Sequence, residues 1–139
     1  MKSTAVSDGF ILRLELGEEL VASLEQFCQE QKVTGAWVNG VGGVTQALVG
    51  YYHLKRRKYV FRHVKSAVEL VSLQGNVSTV GDQTVLHLHA VVSDNRNKTY
   101  GGHLKEARVG GTCELYIRTF ENGLTRELDP KIGLPLLNL

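Results

Sequence analysis

Cysteine, proline and long apolar runs are all scarce in this 139-residue chain, and each scarcity closes off a class of protein. There are two cysteines. Cys28 falls on the apolar face of a predicted helix and Cys113 in a predicted strand, neither near another thiol in sequence. Both therefore read as small core hydrophobes rather than as a disulfide or a thiolate site. No apolar run approaches the roughly 18–20 residues of a bilayer-spanning helix, so no membrane partner is expected. The opening Met1-Lys2-Ser3-Thr4-Ala5 lacks the apolar core of a signal peptide, which points to a cytoplasmic location. Acid is missing locally. From Gln31 to Val68 there is no Asp or Glu, although Lys32, Lys55, Arg56, Arg57, Lys58, Arg62 and Lys65 all lie there. With a net charge of only +2, the total does not demand a nucleic-acid partner. The run Lys55-Arg56-Arg57-Lys58 is the candidate nucleic-acid patch, and a solvated hairpin loop is its plainer explanation.

Turn and strand signals fill most of the remainder. There is no proline-rich linker, low-complexity segment or internal repeat, so residues 1–139 are expected to form one domain. Gly9 to Glu15 alternates as a first strand. Gly17-Glu18-Glu19 then opens a helix, its acids suiting the positive N-terminal end. Leu20, Val21, Leu24, Phe27 and Cys28 form one apolar stripe, the pattern stops near Gln31, and Gly35 is the expected terminator. Strands are predicted at 36–41, 46–54, 59–64, 68–73, 76–80, 84–92, 112–120 and 124–128. Gly42-Gly43, the basic run, Gly81-Asp82 and Ser93–Asn97 serve as turns between them. Asn122-Gly123 predicts a hairpin with positive φ at both central residues. One amphipathic helix against a mostly antiparallel sheet gives an α+β fold.

The sharpest chemical signal is a set of histidines. Leu86-His87-Leu88-His89-Ala90 lies in a predicted strand, where residues i and i+2 project from one face about 7 Å apart. Leu86, Leu88, Ala90 and Val92 should face the core, leaving His87 and His89 to point together into a cleft or second interface. His103, carried by Gly101-Gly102-His103-Leu104, could supply a third imidazole, because the paired glycines allow close approach of the chain. Three imidazoles hold Zn²⁺ or a similar divalent cation and leave a coordination position open. On the strand from Thr112, Glu114, Tyr116 and Arg118 share one face. Glu114 is the candidate acceptor orienting an imidazole, fourth ligand or general base, provided the two strands are neighbours. His53 and His63 fit no ligand spacing. Gly40, Gly42 and Gly43 are no phosphate loop, since no Lys-Ser/Thr follows.

The order of motifs resembles the plants-and-prokaryotes-conserved (PPC, or PCC) domain family. The likeness is carried by Gly35-Ala36-Trp37-Val38-Asn39-Gly40-Val41-Gly42, by Val49-Gly50-Tyr51-Tyr52 and by the block from Val68 to Asn76. It continues through His87-Leu88-His89, Gly101-Gly102-His103-Leu104 and Glu127-Leu128-Asp129-Pro130. The resemblance implies a compact α+β fold assembling as a homotrimer, with metal binding in prokaryotic members through His87, His89 and His103. Plant relatives join the domain to an AT-hook, a short Arg-Gly-Arg-Pro element that enters the DNA minor groove. This sequence has no such element, so the family name "putative DNA-binding protein" transfers poorly, and direct DNA binding is expected to be weak or absent. The fold is also similar to that of acetolactate decarboxylase, a metal-dependent enzyme. The expected function is a regulatory or DNA-binding trimeric module with a tris-histidine site open to a small anionic ligand. The alternative is a metal-dependent lyase or hydrolase acting on a small carboxylate.

Overall fold

A computed structural model describes residues 1–65 and 68–139. Alternation of apolar and polar residues builds a sheet whose inner face is the core. The strands are β1 (Lys2–Val6), β2 (Gly9–Glu15), β3 (Ala36–His53), β4 (Lys58–Val64), β5 (Val68–Val80), β6 (Gln83–Ser93), β7 (Thr99–Thr119), β8 (Arg126–Asp129) and β9 (Leu134–Leu137). One helix, α1 (Leu20–Glu30), follows β2. The main sheet runs β1-β2-β7-β6-β5-β3-β4, and a further β3–β7 pairing closes β3, β5, β6 and β7 into a barrel-like ring. All pairings within it are antiparallel. Inward side chains such as Leu12, Val38, Leu73, Leu88, Leu115 and Ile117 are buried together. Helix α1 adds Leu20, Leu24, Phe27 and Cys28 to that core. The rings of Phe27 and Phe10 pack T-shaped, their centroids 5.2 Å apart. This is the α+β architecture expected from the periodicities.

Several local readings are corrected. Strand β1, which has no alternating apolar face, pairs with β2 as a hairpin and is exposed throughout. The breaks expected at Gly42-Gly43 and after Leu73 do not occur, because β3 and β5 each run straight through. Gly42 marks an irregularity in the ladder instead. A Cβ there would sit 2.4 Å from the Thr112 carbonyl oxygen, so only glycine lets β3 lie this close to β7. The helix ends on Lys32, in the left-handed region at φ 55°, rather than on Gly35. Bonds from the Lys32 and Val33 amides to the carbonyls of Gln29 and Cys28 complete that end. Asn122-Gly123 turns the chain, but only Gly123 has positive φ. The strand that follows pairs with β9 and not with β7. Leu124 instead donates to the Thr34 carbonyl, and Thr79 donates to that of Leu124, so the tail runs away across the barrel.

Candidate metal centre

Strands β6 and β7 form a hairpin whose ladder runs from Ser93↔Thr99 to His89↔His103. There the two strands diverge, and β7 continues beside β3, with Gly50 opposite His103. His87 lies one pleat further along β6, on the same face as His89. Direct opposition of His89 and His103, added to the i, i+2 relation on β6, delivers all three imidazoles to one side of the sheet. Their ligand nitrogens all lie within 4.8 Å of one another, and this trio is the metal-capable group among the described residues. Ring centroids are 5.1 Å apart for His87–His89, 5.5 Å for His87–His103 and 5.6 Å for His89–His103.

The paired glycines act within the strand and not as a turn. Gly102 has φ 150°, and a Cβ on it would meet the Gly50 carbonyl oxygen at 2.3 Å. A Cβ on Gly50 would meet the Phe61 ring at 2.6 Å. Missing side chains at 50 and 102 therefore let β7 press against β3 and make room for the ring of Phe61 beside His103. The expected close approach of the chain at the paired glycines is what the structure has.

The surroundings suit neutral imidazole. Burial, followed by the charges of Arg126 and His89, depresses the pKa of His87. Burial, followed by His87 and His89, takes that of His103 down to about 4. Both rings are thus held unprotonated near neutrality, the form that ligates a cation. Nδ1 of His103 is buried without any hydrogen-bond partner among the described residues. An orphaned buried imidazole nitrogen costs free energy unless something coordinates it. A divalent ion bound at the three converging imidazoles would remove that deficit at His103, so the donor set fits the metal.

A cavity of about 760 Å³ opens over the imidazoles. One wall is aromatic: Tyr59 stacks on Phe61 at 5.4 Å and lies 4.5 Å from His103, while Tyr52 sits 5.2 Å from Tyr59. Leu134 of β9 also lines it. The tail reaches the site a second way. Arg126 donates to Asn76 Oδ1 and Ser78 Oγ, each at 2.8 Å, and to the Pro135 carbonyl at 2.7 Å, and its guanidinium lies 3.4 Å from His87 Nδ1. Neither Arg126 nor this aromatic wall stood out in the sequence. Aromatic residues in a strand are ordinarily packing residues, and an arginine on a short β8 strand carries no local mark of its distant partners.

Other candidates fall elsewhere. Glu114 shares β7 with His103 but lies opposite Arg13 and Val41, apart from the imidazole group. The provision that its strand neighbour the histidine strand fails, because β6 pairs with β7 only over residues 99–103. His53 stacks on Tyr51 and His63 lines a small polar recess beside Glu19, both outside the cluster. The basic run forms the tip between β3 and β4, with a 3-10 turn at Leu54–Arg56 and Arg57 left-handed at φ 47°. Lys55, Arg56 and Lys58 are exposed, whereas Arg57 bonds the carbonyls of Pro130 and Lys131. No helix among the described residues is long and apolar enough to cross a membrane.

Comparisons agree with this architecture. The model of the Plants and Prokaryotes Conserved (PCC) domain matches residues 1–121. A "Bifunctional protein GlmU" from Synechococcus sp. (strain JA-3-3Ab) is 29% identical over 125 residues, which is 88% of this chain and 19% of that protein. The chain thus spans about one fifth of the length of that curated relative. Among solved structures, a "Putative DNA-binding protein" from Ralstonia eutropha JMP134 is 27% identical with a TM-score of 0.94, covering 99% of this chain and 96% of its own. The "Metal-containing Protein AF0104" from Archaeoglobus fulgidus is 30% identical with a TM-score of 0.86, and each chain is covered in full. A Staphylococcus aureus protein described as similar to alpha-acetolactate decarboxylase shares the fold alone, at 16% identity and a TM-score of 0.58 over 88% of this chain and 55% of that one.

Proposed function

Because this chain belongs to the Plants and Prokaryotes Conserved domain family, we propose that it is a regulatory or ligand-binding module that holds a divalent metal on His87, His89 and His103. Zn²⁺ is the default for three neutral imidazoles. One observation carries the reading: three strand-borne rings converge, and one presents a buried nitrogen with no partner among the described residues. The name of the Archaeoglobus relative supports it. When bound, the ion supplies a localised positive charge and a position for a small anion. The chain's own residues fix the three rings through strand register, keep two of them unprotonated through burial, and wall the site with Tyr59 and Phe61.

Assembly as a homotrimer forms part of the same proposal. The outer face that bears the imidazoles also exposes Trp37, Val41, Val71 and Val91, an apolar set suited to self-association. For the alternative, a lyase or hydrolase acting on a small carboxylate, a proton-transferring carboxylate is wanted at the metal, and Glu114 is not there. Contact with DNA rests on the relatives' descriptions and on Lys55, Arg56 and Lys58. It is expected to be weak, independent of sequence and steeply weakened by salt.

Protein purified without a histidine tag should contain near-stoichiometric metal by elemental analysis, and a His87→Ala/His89→Ala double variant should contain none. Native protein that is metal-free and takes up no Zn²⁺ would overturn the proposal.

A further inference from the structure

The cavity over the three imidazoles combines features that specify a ligand more narrowly than "small anion". The imidazoles are neutral donors, so a divalent ion held by them keeps its full double charge. No Asp or Glu lines the cavity among the described residues. Instead Arg62 is on the lining and the Arg126 guanidinium approaches His87. The Lys105 ammonium, 5.5 Å from the centre of the Phe61 ring, is paired with Glu106 at 3.9 Å. Such a site is electrostatically incomplete without an anion of its own.

The second feature is the wall. Tyr59 and Phe61 project from one face of β4 as a nearly parallel pair with an interplanar angle of 17°, and both approach His103. Gly50, opposite both Phe61 and His103, contributes no side chain to fill the space between them. The result is an aromatic surface next to the metal-binding nitrogens, in a cavity of the size that small organic ligands occupy, about 300–1,000 Å³. Rings offer edge and face contacts that a flat π-system exploits better than an inorganic anion can.

We infer that this cavity takes an aromatic carboxylate, a planar ring of benzoate size or larger bearing one carboxylate. The carboxylate is directed to the imidazole cluster and the ring lies against Tyr59 and Phe61. The inference rests on the proposed metal site for the carboxylate end and on the wall alone for the ring end, so the two parts can fail separately.

Zinc content is measured first, and benzoate, acetate and cyclohexanecarboxylate are then titrated calorimetrically into the zinc-loaded protein. Benzoate should bind about tenfold or more tightly than acetate, the gain expected from burying roughly half of a phenyl ring. It should also bind more tightly than cyclohexanecarboxylate, which has the bulk without the π-system. Phe61→Leu should reduce the benzoate advantage severalfold, compared at equal zinc occupancy. Phe61→Ala should remove it, with circular dichroism confirming that both variants fold. Equal affinities for benzoate and acetate, or tighter binding of cyclohexanecarboxylate, would overturn the inference and leave the metal proposal intact. If the protein takes up no zinc, the metal proposal fails by itself. The ligand is then decided on metal-free protein by NMR of the His103 and Phe61 ring protons: shifts with benzoate at concentrations where acetate has no effect sustain it, and no preference for benzoate rejects it.

Discussion

His103 concentrates the chemistry of this protein in one ring. Burial holds its pKa at about 4, below the ordinary histidine value of 6.5, so the folded state binds fewer protons than the unfolded chain between those limits. Stability from this group is complete above pH 6.5 and is lost as pH falls towards 4. His87 is depressed in the same direction. Metal-free protein should therefore show a melting temperature that declines from pH 7 to pH 4.5, and a His103→Gln variant should decline less steeply over that window. A flat profile for the native protein would contradict the placement of this ring. Gly102 makes a second residue-scale prediction. Its φ of 150° and the 2.3 Å approach to the Gly50 carbonyl leave no space for a methyl group. Gly102→Ala should destabilise the fold by about 2 kcal/mol or more, read from urea unfolding. At this scale the sequence was highly legible. A pair of histidines two apart in a β-branched segment and a third after two glycines identified the cluster. It could not reveal Arg126 or Tyr59, because their roles depend on which strands the fold brings alongside.

Elements were legible where a period repeats and obscure where irregularity replaces a break. The helix followed from its apolar stripe, and its start from Glu18-Glu19. In the structure Glu19 caps the helix, one carboxylate oxygen accepting from the Ala22 amide at 2.6 Å and the other from the Ala107 amide of β7 at 2.8 Å. Such double duty explains a glutamate where Ser, Thr, Asp or Asn is usual. Replacing it in Glu19→Ala frees two backbone donors at once, and about 1–3 kcal/mol of stability should be lost in chemical denaturation. Glu19→Gln should recover most of it. Strands β3, β5 and β7 read as shorter pieces, since glycine signals a turn and a close backbone approach equally well from sequence. Their continuity is imposed by the ladders of β3 with β7 and of β5 with β3 and β6, contacts no local window contains.

At the scale of the whole molecule, the histidine cluster and the surface proposed for self-assembly lie on one face. Row by row, the outer surface of the ring passes from Ile11 and Tyr116 through Asn39 and Gln74 to His89 and His103. The neighbouring positions Val41, Val71 and Val91 are 54%, 51% and 39% exposed. Apolar residues left in water beside a polar cluster fit burial against further copies of the chain. Sedimentation equilibrium at micromolar concentration should return three times the 15.4 kDa chain mass. A Val41→Lys/Val71→Lys variant should sediment as a smaller species with its secondary structure retained. A native monomer would remove self-assembly from the proposal. The α+β class was visible in the alternation of periods, but this face was not, because its members come from five strands, most of them distant in sequence.

The last rung of the β6–β7 ladder is the pair His89–His103, and just beyond it the two strands part company. An ion gripping His87 together with His103 would rivet the fork where the hairpin opens, tying a residue past the final rung to the strand that is leaving. Loading the metal should then slow hydrogen exchange at the amides around residues 87–89 and 103, while the amides of α1 exchange as before. The cation would be a mechanical part of the cylinder as well as its chemistry.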